Sequence, residues 1–315
     1  MEFCAFVEPQ QGANYEDLRS FAAAAERLGF DGFFRSDHYL PMGDAFDGEP
    51  AVSDAWTTLA ALARDTDRIR LGTLVSSVTF RNPGILGIQV ANVDDMSGGR
   101  VELGLGAGWY RAEHTAYGIP FPDHRFDLLE EQLQIIEGLW SLPAGETFHF
   151  DGAHYSLHGA PALQRPTQAR IPVIVGGAGP KRTPQLAARY ASEFNSFRGP
   201  IAAGERFDVI RAACNDEGRD PASLRYSAAI QVIAGATDAE VASRARRLGH
   251  DPAAVLATDD IAAGTPQQVV DHLSRYRETG AVRLYLQCLD PRDLEMLELI
   301  GAEVLPHLSD ENAAT

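Results

Sequence analysis

The stretch IRLGTLVSSVTFRNPGILGIQVANVDDMSGGRVELGL, residues 69–105, contains the pattern that decides the fold. A short apolar strand at Ile69–Val75 is followed by a helix at Pro83–Met96, which a Gly-Gly pair ends, and by a second strand at Val101–Leu105. Strands that are apolar along their whole length and are joined by helices are typical of a parallel sheet buried on both faces. The stretch therefore predicts an α/β fold.

The same alternation of strand and helix extends over most of the 315 residues. Further apolar strands are predicted at Phe3–Val7, Gly32–Ser36, Pro172–Val175, Glu193–Phe197, Tyr226–Ile233 and Arg283–Cys288. About eight such units in a chain of this length favour a closed barrel of the TIM (β/α)8 type. Residues 141–171 interrupt the alternation and predict a β-hairpin insertion between strands 4 and 5, with a tight turn at Asp151-Gly152. We expect a single barrel domain over residues 1–308 and a flexible tail over residues 309–315.

Charge and cysteine content limit the classes of function. The chain has 27 Lys and Arg against 44 Asp and Glu, and its net charge of −17 at pH 7 repels nucleic acid and anionic membranes. No apolar run reaches the ~18 residues of a membrane-spanning helix, and the N-terminal segment lacks the features of a signal peptide. Cys4, Cys214 and Cys288 form no CxxC pair, so we interpret them as small buried side chains of a cytoplasmic protein.

Two glycine-rich segments follow predicted strands. Gly104, Gly106 and Gly108 lack the GxGxxG spacing of a dinucleotide-binding loop, so they either let a flat ring approach the backbone or relieve crowding at the barrel rim. The segment 176–179 opens a helix without the Gly-Lys pair of a nucleoside-triphosphate loop. Its free amides and the basic residues that follow favour phosphate binding, with an ordinary glycine-rich connection as the alternative.

The chemistry of a barrel lies at the carboxyl ends of its strands, where Glu8, Asp37 and His38 are predicted. An imidazole is the natural proton carrier near neutral pH, and a neighbouring carboxylate can hold its charge. The alternative is a helix-capping Asp beside a His that is satisfied at the rim. No metal site is predicted, because the first strand has no His-x-His pair, and a serine nucleophile would lack its GxSxG turn.

Several motifs in the same order resemble the luciferase-like flavin and deazaflavin oxidoreductases. They include Arg35–His38, Asn82-Pro83, Asp95–Gly104, Gly106–Trp109 and Val175–Gly177. The chain is most similar to the branch that uses the deazaflavin coenzyme F420. The resemblance implies hydride transfer between F420 and a small organic substrate in a homodimer. The negative net charge leads us to expect no nucleic-acid or membrane partner. An FMN-dependent two-component monooxygenase is the alternative, and a cofactor-binding protein without catalysis is a third possibility.

The resemblance also implies roles for individual residues. The catalytic candidates are His38, Glu8 and Glu113. The expected cofactor contacts are Asp37, Leu74, Val75, Ser76, Ser77, Ala107, Gly108, Trp109, Gly176, Gly177, Ala178, Gly179, Lys181 and Arg182. A non-proline cis bond is expected at Leu74–Val75, with the hairpin helping to roof the cofactor pocket. Trp109 stands where the family's sugar-phosphate and alcohol dehydrogenases carry a Glu proton carrier, so sugar-phosphate dehydrogenation is not expected. The loops at Leu40–Ser53 and Gly199–Glu205 are expected to set the substrate.

Overall fold

The structure is a computed structural model that describes residues 1–42, 52–162 and 166–308. The strands are β1 (Glu2–Val7), β2 (Gly32–Arg35), β3 (Arg70–Thr73), β4 (Ser76–Ser77), β5 (Val101–Gly106), β6 (Thr147–Asp151), β7 (Ser156–Pro161), β8 (Val173–Gly176), β9 (Glu193–Ser196), β10 (Arg225–Ala234), β11 (Ile261–Gly264) and β12 (Arg283–Cys288). The helices are α1 (Tyr15–Arg27), α2 (Ala55–Asp65), α3 (Pro83–Ser97), α4 (Arg111–Tyr117), α5 (Arg125–Ser141), α6 (Arg182–Tyr190), α7 (Pro200–Asp216), α8 (Asp238–Arg247), α9 (Pro252–Ala257), α10 (Pro266–Glu278), α11 (Leu294–Glu303) and α12 (Leu305–Leu308). The predicted tail at 309–315 lies outside the described residues, and the domain boundary at 308 stays a prediction.

Eight parallel strands close into a barrel, which confirms the predicted TIM-type fold. The ring runs β1-β2-β3-β5-β8-β9-β10-β12 and closes where β12 pairs with β1, with Glu2 opposite Arg283. The short strand β4 continues beyond β3 and pairs with the end of β5. Strand β11, which was not predicted from the sequence, pairs with the second half of β10 from Gln231 onward.

Glycines make room for aromatic rings inside the barrel. Phe34 lies in a buried cluster with Cys4, Phe6 and Tyr285, and its ring meets that of Tyr285 edge to face at a centroid distance of 4.9 Å. A Cβ atom on Gly72 would lie 2.4 Å from the Phe34 ring. Because real Cβ atoms do not approach that closely, the barrel can hold Phe34 only with glycine at this position.

Gly104 on β5 and the nearby Gly108 were predicted either to admit a flat ring or to relieve crowding, and their contacts show crowding. A Cβ atom there would lie 2.1 Å from the backbone oxygen of Thr73 and 2.9 Å from the side chain of Val75. Gly108 has a positive φ of 78°, and a Cβ on it would lie 2.2 Å from the Ser77 hydroxyl oxygen. Crowding at the rim therefore requires both glycines.

An ion cluster fills the amino-terminal end of the barrel. Arg283 Nη1 lies 2.7 Å from Glu102 Oε2 and 3.0 Å from Glu193 Oε2, and all three side chains are buried. Burial opposes ionisation of Glu102, but Arg283 and Arg70 lower the pKa of this carboxyl below its usual value. Burial and the nearby Glu102 raise the pKa of Glu193 despite Arg283. This end of a barrel contributes stability rather than catalysis.

The insertion is a hairpin, as predicted, but its turn is longer than expected. Strands β6 and β7 are antiparallel, and Asp151 pairs with Ser156. Gly152 N donates to Tyr155 O at 2.9 Å, so the connection spans residues 152–155 rather than an Asp151-Gly152 turn. The carboxylate of Glu131 on α5 accepts hydrogen bonds from backbone amides of this connection, and it fixes the hairpin on that helix.

Helix α7 corrects the expectation of a loop at Gly199–Glu205. Pro200 stands at the first position of the helix, where its missing N–H costs no hydrogen bond. Ala203, Phe207 and Ile210 recur at helical spacing and are fully buried. This stripe is the sequence signal that predicts a helix.

Among the described helices, none is long and apolar enough to cross a bilayer.

Candidate functional site

The carboxyl ends of the barrel strands surround a cavity of about 760 Å³. All the predicted site residues except Lys181 and Arg182 line it. The lining residues that were not predicted as site residues are Met42, Phe80, Gly106, Phe126, Thr183, Ser196, Phe197, Arg198, Ala202, Arg206 and Gln287. No described residue of the hairpin lines the cavity, so the expected roof gains no support from the lining and stays a prediction. The hairpin is held on α5, where Gln132 Nε2 donates to the Tyr155 hydroxyl oxygen at 2.9 Å and to the carbonyl of Val78, just after β4, at 2.7 Å.

His38 and Glu113 form a hydrogen-bonded pair in the cavity wall. His38 follows β2, Glu113 lies on α4, and His38 Nδ1 is 2.9 Å from Glu113 Oε1. The other carboxylate oxygen of Glu113 accepts from the backbone N–H of Tyr39 at 3.0 Å. Burial pulls the pKa of His38 down, but the hydrogen bond to Glu113 and the charges of nearby carboxylates raise it above its usual value. The pair can therefore hold an imidazolium ready to give up a proton.

Glu8 lies in the same wall at the end of β1. Its carboxylate accepts from Gln287 Nε2 at 2.9 Å and from the amide of Gln10. The Gln10 amide oxygen accepts in turn from the Ser36 hydroxyl at 2.7 Å. Glu8 is 8% exposed, and its charge helps to raise the pKa of His38. It acts on His38 through its field rather than through a hydrogen bond.

Asp37 lines the cavity, but its carboxylate is already paired. Both of its oxygens accept from the guanidinium of Arg81, which also pairs with Asp54 at the start of α2. Burial opposes the charge of Arg81, but Asp37 and Asp54 raise its pKa further above the usual value. Asp37 therefore fixes the segment after β2 in place, which holds the neighbouring His38 in position.

The cavity floor contains the expected cis peptide bond at Leu74–Val75. Ser76 and Ser77 follow it, and their hydroxyls are engaged inside the protein. The Ser76 hydroxyl accepts from the Trp56 indole at 3.2 Å, and the Ser77 hydroxyl lies 2.7 Å from that of Thr79. The first contact fixes the floor against α2, and Thr79 Oγ1 in turn lies 2.6 Å from His114 Nε2 on α4.

The turn 176–179 connects β8 to α6 and lies open to the cavity. Gly177 has a φ of 138°, a conformation that favours glycine, and a Cβ on Gly179 would lie 2.7 Å from the Thr183 hydroxyl. Arg182 pairs with Asp127 at 2.7 Å, and Lys181 is exposed at the position just before α6. Neither residue lines the cavity, so their predicted contact with the cofactor gains no support from its lining.

Trp109 is the most exposed aromatic residue of the cavity wall, with 63% of its surface accessible. Its ring stacks on that of Tyr110 at a centroid distance of 5.2 Å, and its edge meets the His38 ring at 5.7 Å. The Tyr110 hydroxyl donates to the carbonyl of Pro41 at 3.1 Å, which holds this aromatic pair in place. An apolar plane thus stands beside the candidate proton carrier.

Comparisons with known proteins agree with this architecture. The family model described as luciferase-like monooxygenase matches residues 1–254. An F420-dependent glucose-6-phosphate dehydrogenase of Microbacterium testaceum (strain StLB037) is 38% identical over 186 residues, which cover 58% of this chain and 53% of the relative. A protein of the same name from Nakamurella multipartita (strain ATCC 700099) is 29% identical over 324 residues, with coverage of 93% and 92%.

A solved structure with the same fold is the F420-dependent secondary alcohol dehydrogenase in complex with an F420-acetone adduct. The TM-score is 0.81 at 20% identity, with coverage of 98% of this chain and 99% of that chain. Four F420-dependent glucose-6-phosphate dehydrogenases that are 34–38% identical, including the one from Microbacterium testaceum, match this chain over about half of their own length. Since the family model matches most of its length, this chain belongs to the luciferase-like monooxygenase family.

Proposed function

We propose that this protein is an oxidoreductase that transfers a hydride between coenzyme F420 and a small organic substrate. The observation that carries the proposal is that one cavity holds both an open glycine turn, suited to a phosphate, and an imidazole fixed by a buried carboxylate. The F420-dependent relatives support the choice of cofactor, and one of them aligns with 93% of this chain.

The residues present fit such a cofactor. A volume of about 760 Å³ is within the usual range of cofactor pockets. The turn 176–179 would hold the phosphate, since three of its four residues have no side chain to obstruct the backbone amides. The Leu74–Val75 floor and the Ala107-Gly108 rim would hold the ring. Lys181 and Arg182 stay predictions as further contacts. When bound, a deazaflavin supplies the hydride chemistry.

The protein's own contribution is position and a proton. Glu113 holds Nδ1 of His38, so Nε2 is the ring nitrogen left to exchange a proton with the substrate. Nε2 has no hydrogen-bond partner within the described ranges. A positioned general acid or base of this kind contributes ~10²–10⁴-fold to the rate. Glu8 and Glu113 favour the protonated ring.

The substrate that fits beside His38 is small and apolar. Trp109 presents an accessible indole plane next to the imidazole. Because an indole cannot carry a proton at neutral pH, Trp109 cannot act as the acid that the family's sugar-phosphate dehydrogenases place there. We therefore do not extend the sugar-phosphate substrate of the relatives to this chain.

Titration of the apo-protein with F420 and with FMN tests the cofactor. We expect saturable F420 binding, followed by turnover with a panel of enones, alcohols and aldehydes. Tight FMN binding without F420 binding would favour the two-component monooxygenase instead. Cofactor binding without turnover of any substrate would favour a non-catalytic protein.

The role of His38 is tested separately. His38→Ala should lower turnover at least tenfold and leave cofactor affinity nearly unchanged, because the imidazole moves a proton rather than holding the phosphate. His158→Ala, on the exposed hairpin, is the matched control. Unchanged turnover in His38→Ala would remove this residue from the mechanism.

The homodimer stays a prediction that light scattering can check.

A further inference from the structure

We propose that Arg206 provides the cationic contact to the cofactor's phosphate, an inference that rests on the proposed function. Arg206 lies on α7 and lines the cavity. Its Nη2 donates a hydrogen bond to the carbonyl of Gly179, the last residue of the phosphate turn. The guanidinium and the open amides of the turn therefore lie on the same part of the cavity wall.

The guanidinium of Arg206 has hydrogen-bonding capacity to spare. Of its five N–H donors, one is used on Gly179, and Nε is buried without any partner in the described part of the chain. No carboxylate of a described residue acts on this guanidinium. Burial lowers the pKa of this guanidinium, and no carboxylate offsets the effect. An anion bound beside it would supply the missing compensation.

The nearby basic residues differ from Arg206 in this respect. Arg182 forms ion pairs with Asp127 at 2.7 Å and with Glu130 at 3.0 Å, so its charge is already compensated. Lys181 is exposed and does not line the cavity. Position in the fold, rather than distance along the chain, thus determines which cation reaches the turn.

A local cation matters because the protein as a whole repels the cofactor. The net charge is −17, and F420 carries a phosphodiester and an anionic glutamate tail. The acidic groups of the wall include Asp37, paired with Arg81, and Glu113, paired with His38. Arg206 and Arg198 are the arginines that line the cavity within the described ranges. A hydrogen bond from the Arg206 guanidinium to a phosphate oxygen would join two charged groups, and such bonds are stronger than those between neutral groups.

The test compares F420 with the corresponding 5-deazariboflavin, which has the same ring and ribityl chain but lacks the phosphate and everything attached beyond it. Dissociation constants are measured by fluorescence for the wild type, Arg206→Ala and Arg206→Lys. We expect Arg206→Ala to weaken F420 binding at least tenfold and to change binding of the phosphate-free compound less than twofold. Arg206→Lys should recover part of the affinity, since it keeps the charge but not the planar fork. Inorganic phosphate should compete with F420 in the wild type.

The matched control is Arg211→Ala, on the same helix, where Arg211 pairs with Asp208 away from the cavity. It should leave both constants unchanged. Unaltered F420 affinity in Arg206→Ala, or a greater loss in Lys181→Ala, would overturn the proposal. Equal weakening of both ligands would also overturn it, because it would indicate a structural role. If the wild type binds FMN and not F420, the proposed cofactor is wrong. The role of Arg206 is then tested by comparing the dissociation constants of FMN and of riboflavin, which lacks the phosphate. Binding of neither cofactor would overturn both proposals.

Discussion

Replacing Glu113 by Gln tests how the site controls the proton on His38. The wild-type carboxylate accepts from His38 Nδ1 at 2.9 Å, and the two side chains are 1% and 18% exposed, so solvent screens the pair little. Glutamine keeps the shape and removes the charge. Its single amide oxygen must also serve both His38 and the Tyr39 N–H, which the carboxylate satisfies with separate oxygens.

The size of the effect follows from the kind of bond that is lost. A hydrogen bond to a charged group contributes ~1.5–3 kcal/mol, and ~1.4 kcal/mol corresponds to a factor of ten. At a pH where wild-type His38 is half protonated or less, the ratio of imidazolium to imidazole should therefore fall by about 10- to 150-fold in Glu113→Gln. The direction follows from the cause, because the carboxylate raises the pKa of His38 and its loss lowers that pKa.

Histidine-ring NMR titration measures this protonation directly, with the His38 signal assigned by its loss in His38→Ala. Glu8→Gln, which removes a charge but no hydrogen bond to His38, should shift the titration less. Glu16→Gln, on the exposed face of α1, should not shift it. A group whose pKa is raised by folding stabilises the protein below its unfolded pKa and loses that effect as the pH rises. The excess stability of the wild type over Glu113→Gln should therefore shrink toward alkaline pH. An unchanged titration in Glu113→Gln would refute the reasoning.

Three further changes test the rim, the barrel and its charged end. Gly104→Ala should destabilise the protein by ~1–3 kcal/mol, because its Cβ would lie 2.1 Å from the Thr73 oxygen. Thermal unfolding measures this loss. Gly87→Ala is the control, since a Cβ there would have its nearest neighbour at 3.4 Å. Arg283→Met should cost ~3–5 kcal/mol in a urea titration, because it leaves buried carboxylates uncompensated, and a stability equal to wild type would contradict this. Trp109→Ala should raise KM for apolar substrates by about tenfold or more, and steady-state kinetics showing an unchanged KM would count against an indole contact.

The sequence predicted the parts of the site that depend on local order along the chain. His38 and Glu8 follow strands, and the carboxyl ends of parallel strands in a barrel meet at one mouth. The family resemblance extended this to the cis bond at Leu74–Val75 and to Glu113. The hairpin was also predictable, but the side of the barrel on which it packs was not, because the Glu131 contacts that hold it involve residues about 22 positions apart.

By itself, then, the sequence determined the order of strands and helices, the barrel, and the strand ends that carry the acid–base residues, because hydrophobic period and glycine position are local properties of the chain. Only the tertiary structure decided which charges face the cavity. Arg182 is next to the turn in sequence but is bound to Asp127, whereas Arg206 reaches Gly179 from a helix 27 positions away. Pairing between charges depends on distance in space, and the folded packing of α5, α6 and α7 sets that distance.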